Sequence, residues 1–129
     1  MNLLLDTHIF IWLLSDIQQI PENILTACKN SNNRLYISVV NSWEMQIKIQ
    51  QGKLSLPVSR SKLIEQSQQH GFSLLSITEN HINHLEALKN HHKDPFDRLL
   101  MAQANAEKMK LISADSKIYL YKDQVDLLW

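Results

Sequence analysis

Residues 2–6, Asn2-Leu3-Leu4-Leu5-Asp6, decide how this chain is read. Three leucines follow one another with no polar residue between them, and a carboxylate then ends the run. A strand with one wet face alternates apolar and polar residues, whereas a strand covered on both faces reads as a continuous apolar run. The stretch therefore predicts a central strand over Asn2 to Asp6. A carboxylate placed where a buried strand stops is costly unless something cationic meets it. The same arrangement recurs late in the chain, where Leu111-Ile112-Ser113-Ala114 is closed by Asp115.

Working outward, a helix is expected from Thr7 to about Ser15, and Pro21 opens a short second helix as its first residue. Arg34 to Ser38, with Tyr and Ile, reads as a strand. A helix from about Val40 to Gln50 is stopped by Gly52, and one from Ser59 to His70 is stopped by Gly71. Phe72 to Ile77 reads as a strand, and Thr78 as the N-cap of a helix through Leu88. Asp94-Pro95 opens a helix to about Lys108. Lys110 to Ala114 is the fourth strand, followed by a helical turn and a last strand at Val125 to Leu128. Strands alternate with helices throughout, which predicts an α/β fold with a mostly parallel central sheet of four to five strands covered on both faces. No Gly/Ser linker, repeat or low-complexity tract divides residues 1–129, so one domain is expected.

In open parallel sheets, ligands bind in the crevice beyond the carboxyl ends of the strands. Asp6 and Asp115 lie at such ends. Glu44, which follows a strand, and Asp97 lie in the first turns of helices, so all four can reach one rim. Several carboxylates gathered there would hold a hard divalent cation. Each has a second reading. Asp6 could cap the first helix, although Thr7 could also meet that need. Glu44 could pair with Lys48 one turn on, and Lys48 could equally hold a phosphate. Asp97 could complete a capping box begun by Asp94, which itself reads as an N-cap with a supporting role. Asp115, taken alone, is a turn residue; its weight comes from the other acids.

Other groups carry less. His81 and His84 are spaced i,i+3 but lack the partners of a zinc site, and read as a solvated helix face. His91 and His92 read as a solvated loop, with RNA contact a lesser reading. Trp43 reads as core packing. No glycine-rich phosphate loop and no nucleophile elbow is present, which argues against nucleoside-triphosphate enzymes and serine or cysteine hydrolases.

Composition sets bounds. The formal net charge is +0, so bulk electrostatics will not draw the chain to nucleic acid; any such contact must be local. The single cysteine, Cys28, forbids an intrachain disulfide and reads as a small buried apolar residue in a helix. The leading apolar stretch lacks the features of a secretory signal, and no stretch approaches the roughly 18 apolar residues that cross a bilayer. A soluble, cytoplasmic protein is expected.

Three blocks, LLLDTHIFIW, ISVVNSWEMQIKIQQGKLSL and HHKDPFDRLLMAQANAEKMKLISAD, resemble in order the successive blocks of the PIN (PilT N-terminus) domain, and among its members the VapC-type toxins of toxin–antitoxin pairs. The resemblance covers nearly the whole chain and implies a PIN-like three-layer α/β/α sandwich. It implies a metal-dependent ribonuclease leaving a 5′-phosphate and a 3′-hydroxyl, with the family acids at Asp6, Glu44, Asp97 and Asp115. Thr7 matches the hydroxyl residue that often follows the first Asp. Asn41 stands where Ser or Thr is common, and Ser113 where Thr is common; both keep hydrogen-bonding ability.

On this reading Asp6, Glu44 and Asp97 hold one Mg²⁺ or Mn²⁺ ion, which oxygen ligands favour over zinc. Asp115 completes it directly or through water, or helps to hold a second. Thr7, Asp94 and Ser113 support the ligands, and Lys48, Lys93 and Arg98 are candidate phosphate contacts. The resemblance further implies an RNA substrate, a cognate antitoxin protein that blocks the site, and a homodimer. Two alternatives stay open: a catalytically inactive module that binds RNA or protein, and an acidic-pocket small-molecule phosphohydrolase. A haloacid-type phosphatase would want a second Asp two residues after the first, and that position is His8.

Overall fold

The computed structural model describes residues 1–129. Five strands, β1 (Asn2–Leu5), β2 (Arg34–Ser38), β3 (Ser73–Leu75), β4 (Lys110–Ile112) and β5 (Leu127–Leu128), form one sheet in the order β3-β2-β1-β4-β5. Every neighbouring pair is parallel. Six helices connect them: α1 (Thr7–Ser15), α2 (Glu22–Lys29), α3 (Val39–Gln50), α4 (Arg60–Gln69), α5 (Glu79–Leu85) and α6 (Pro95–Glu107). Short 3-10 turns add Ile17–Gln19 and Ile118–Tyr121. No helix is long and apolar enough to cross a membrane.

The leucine run is the central strand. Leu3, Leu4 and Leu5 are wholly buried, and they face opposite ways. Leu3 and Leu5 pack with Ile9, Phe10, Ile24, Ile37, Leu63 and Ile64, so α1, α2 and α4 cover one face. Leu4 packs with Leu100, Met101, Ala104 and Leu111, so α6 covers the other, beside α5. The result is the three-layer α/β/α sandwich that two buried faces demand.

Element ends differ from expectation where a side chain finds a better use. Asp6 lies outside β1 and is the N-cap of α1, while Thr7 is the first helical residue with its hydroxyl committed elsewhere. Pro21 is the cap of α2 rather than its first residue. β3 is shorter than the apolar stretch Phe72 to Ile77, and α5 stops at Leu85, short of Leu88. The stops at Gly52 and Gly71 do use left-handed backbone, with φ of +71° and +97°.

The strand order fixes where a ligand can sit. From β1 the chain moves outward through β2 to β3, then returns to β4 on the other side of β1. The connections leaving β1 and β4 therefore part to opposite sides and open a crevice at their carboxyl ends, the usual ligand position in such sheets.

Candidate metal centre

Asp6 leaves β1 at that crevice. Its amide donates to Ile112 O across to β4 (2.9 Å), extending the ladder by one bond and holding the residue against the end of β4. Its Oδ2 accepts from Ser113 Oγ at 2.6 Å, and Oδ1 accepts a long bond from His8 N at 3.4 Å. Asp6 is 3% exposed. Burial raises its pKa above the carboxylate range; the Ser113 bond and His8 oppose this, and the charge of Glu44 adds to it.

Glu44 enters from α3, which starts as β2 ends. Ser38 caps this helix, and Asn41 closes the capping box by accepting from Ser38 N at 2.7 Å. Asn41 then spends its amide on the other side of the crevice, donating to Leu5 O (3.2 Å) and Thr7 Oγ1 (2.9 Å). The Thr7 hydroxyl donates in turn to Glu44 Oε1 at 2.7 Å. One polar chain thus ties β1, α1 and α3 together and fixes the Glu44 carboxylate, which is 3% exposed. Lys48 Nζ donates to Glu44 Oε2 at 2.7 Å. Burial works against the Lys48 charge, but the bond to Glu44 and the charges of Glu44, Asp94 and Asp97 keep its pKa above the ordinary lysine value.

Asp97 comes from the first turn of α6. Asp94 caps this helix through Phe96 N and Asp97 N, with Pro95 at the first position. The Asp97 carboxylate does not return a capping bond; Oδ2 pairs with His92 Nε2 at 2.7 Å instead. Burial pushes the Asp97 pKa up to about 7; the His92 bond lowers it, and the charges of Asp6, Asp94 and Glu44 raise it. Ligand atoms of His92, Asp94 and Asp97 all lie within 4.8 Å of one another, a grouping able to hold a metal ion.

Asp97 therefore feels the charges of Asp6, Asp94 and Glu44, and Asp6 that of Glu44, although Asp6 and Glu44 lie outside the tight group of His92, Asp94 and Asp97. Asp115 stands slightly apart. Its Oδ1 accepts from Lys117 N (2.8 Å) and its amide donates to Ser113 Oγ (3.0 Å), so the turn reading holds locally. It shares with Asp6 the wall of a cavity of about 260 Å³.

Several sequence readings are corrected. Trp43 is 49% exposed and packs edge-on against Phe96 (ring centroids 4.8 Å apart), not in the core. Its helix buries the stripe Val40, Asn41, Glu44 and Met45, and position 43 faces away from it. His81 is wholly buried rather than solvated: Nδ1 accepts from Thr78 N and Nε2 meets Glu107 at 2.8 Å. Cys28 is half-buried rather than buried, and burial raises its thiol pKa. Arg98 has a structural role that the sequence did not suggest. Its Nη1 donates to Lys89 O, His92 O and Tyr121 Oη, and Tyr121 Oη accepts from the amides of His91 and His92. Arg98 and Tyr121 thereby hold the loop that presents His92, so that loop is not merely solvated. Lys93 stays exposed beside His92 and Asp94, along a cavity of about 550 Å³.

Sequence reasoning missed His92 and Gln103. His92 had no periodic pattern to mark it. Gln103 is wholly buried on α6, where it accepts from Ser38 Oγ and donates to Ser76 O at 3.3 Å. The signal was available: a lone glutamine inside Leu100-Met101-Ala102-Gln103-Ala104 has buried residues on both sides.

The donor set fits a hard divalent cation. It is almost wholly oxygen, carries net negative charge and is held off bulk water. Each ionised carboxylate oxygen can accept about two bonds, so capacity remains after the protein bonds above are counted. An imidazole at the edge of an oxygen set is compatible with Mn²⁺ or Mg²⁺.

Known structures share this architecture. VapBC2 from Rickettsia felis, bound to a DNA fragment from its promoter, superposes with a TM-score of 0.72 at 16% identity, covering 100% of this chain and 99% of that one. VapBC-1 from nontypeable Haemophilus influenzae gives 0.71 at 19% identity over 99% and 97%. VapBC-5 from Mycobacterium tuberculosis, a member of the VapBC family of toxin–antitoxin systems, gives 0.61 at 15% over 98% and 95%. At these identities the likeness is one of fold. No curated protein matches the chain in sequence. The family model of the PIN domain matches residues 3–123, from the first buried leucine past the turn beyond β4, and on that match the chain belongs to the PIN domain family.

Proposed function

We propose that this chain is a metal-dependent endoribonuclease, the toxin of a toxin–antitoxin pair. The observation that carries the reading is that Asp6, Glu44 and Asp97, from three separate segments, are buried carboxylates close enough for charge to pass between them, Asp97 feeling Asp6 and Glu44 and Asp6 feeling Glu44. Mutual repulsion and desolvation make that arrangement costly for a fold that gains nothing from it.

In this reading Asp6, Glu44 and Asp97 would hold one Mg²⁺ or Mn²⁺, with Asp94, His92 and Asp115 as further candidate donors. Such an ion supplies Lewis-acid activation of water and of a phosphodiester. The protein's own work is orientation. Ser113 holds Asp6, Thr7 holds Glu44, and His92 holds Asp97, at 2.6, 2.7 and 2.7 Å. Carboxylates fixed in this way would need no reorganisation when charge builds on a bound phosphodiester. Lys48, beside Glu44, and exposed Lys93 offer positive charge to the RNA backbone. With net charge +0, that local charge and the ion must draw RNA in. The antitoxin partner belongs to the same proposal, supported by a fold shared with VapBC structures, and the homodimer is proposed on the family resemblance alone.

The test is incubation with total RNA and Mn²⁺ or Mg²⁺, followed by mapping of cut ends. Cleavage that needs the ion, stops on chelation and is lost in Asp6→Asn while the fold persists is expected. Cleavage unchanged in that variant would overturn the reading. Binding of RNA or of a partner without any cleavage would favour the inactive module instead.

A further inference from the structure

The cavity of about 260 Å³ beside Asp6 is lined by Asp6, His8, Trp12, Ala114 and Asp115. It opens where the connections leaving β1 and β4 part, so it lies in the ligand crevice of the sheet. One wall is aromatic. His8 and Trp12 are one turn apart on α1, with ring centroids 6.2 Å apart. Trp129, which is not among the cavity's lining residues, packs tilted against Trp12, also at 6.2 Å, so the indole is braced. His8 is exposed and Trp12 half-buried, so part of the indole is left open to solvent.

We infer that this cavity takes one unpaired nucleobase of the RNA, from a nucleotide next to the cleaved phosphate, stacked on Trp12. The inference rests on the ribonuclease reading above. Size supports it, since the cavity is smaller than the roughly 300–1,000 Å³ of a drug-sized pocket and admits a single planar ring system but no duplex. Asp6 is shared between the cavity and the carboxylate centre, which sets a base in the cavity beside a phosphate at the centre. Recognition of single-stranded RNA depends on splayed bases stacked on aromatic rings, and a braced indole is such a platform.

The test uses the full chain with Mn²⁺ and a short single-stranded RNA containing a mapped cut. An abasic ribose replaces each nucleotide flanking the cut in turn, and kcat/KM is measured. One position is expected to lose about tenfold or more, the range of a lost base–aromatic stack. That loss should shrink toward nothing in Trp12→Leu, where the platform is already gone, and return in part in Trp12→Phe. A second readout follows binding before the cut. In a Trp43→Phe, Trp129→Phe background, stopped-flow mixing with intact RNA should quench Trp12 fluorescence, and RNA abasic at the sensitive position should not. If Trp12→Leu fails to fold, the abasic scan and the quenching decide. A flat scan, or equal abasic losses in wild type and Trp12→Leu, overturns the cavity assignment while leaving the ribonuclease reading in place. RNA that is neither bound nor cut overturns both.

Discussion

Replacing Asp97 with Asn should stabilise the metal-free protein while removing its activity. The carboxyl pKa of Asp97 rises from 3.8 to about 7, first because it is buried and then because Asp6, Asp94 and Glu44 are near. At about 1.36 kcal/mol per pH unit, holding that charge costs on the order of 4 kcal/mol as a ceiling. Local relaxation and the His92 bond, which an asparagine oxygen can still accept, reduce the realised gain to about 1–2 kcal/mol. For a chain of this length that is about 3–8 °C in Tm. The sign with pH follows from linkage. The folded-state pKa lies above the unfolded one, so the group's contribution is fully present below about pH 4 and is lost as pH rises through about 7. The Asn variant should therefore exceed wild type most at pH 8 in chelator, and the gap should close toward pH 4. Divalent cation should reverse the order, because an ion that binds only the folded state stabilises by about 2.7 kcal/mol at a hundred times its Kd, and the variant has lost a ligand. Differential scanning fluorimetry across pH, with chelator and with Mn²⁺, measures all of this. An Asn variant less stable than wild type at pH 8 in chelator, or equally stabilised by Mn²⁺, would refute the reasoning.

Thr7→Val removes the donor to Glu44 Oε1 and an acceptor of Asn41 Nδ2. It should cost about 1–3 kcal/mol of stability and weaken Mn²⁺ binding about 10- to 100-fold by calorimetry, and undiminished affinity would contradict the role. Lys93→Gln should lower the salt slope of RNA binding by about 0.7, while Arg98→Gln should leave the slope alone and loosen the His92 loop, seen as faster amide exchange at His91 and His92; the opposite pattern would restore Arg98 as the phosphate contact. Gln103→Leu leaves the Ser38 hydroxyl without its acceptor and Ser76 O without a donor. A loss of about 1–3 kcal/mol in urea unfolding is expected, and a neutral result would show that the network repacks.

Asn2–Leu5 was legible because a buried strand has no choice but a continuous apolar run, and the carboxylate after it marked the rim. Glu44 and Asp97 were legible because each stands among apolar helical neighbours, where a charge needs a reason. His92 was not: its place depends on Arg98 and Tyr121, far apart in sequence, gripping a loop that has no period. Trp43 was misread from residue type alone, although the phase of Val40, Asn41, Glu44 and Met45 already turns it away from the core. His81 was misread because its burial comes from contact with α6, through Glu107 and Gln103, which no local pattern reports.

The central claim is that Asp6, Glu44 and Asp97 share one divalent ion. Crystals grown with Mn²⁺ and measured for anomalous scattering test it most directly. A single strong peak within bonding distance of carboxylate oxygens from all three residues is predicted, disappearing in Asp97→Asn. Manganese found only on the outer surface, with the three carboxylates keeping their protein partners alone, would contradict it.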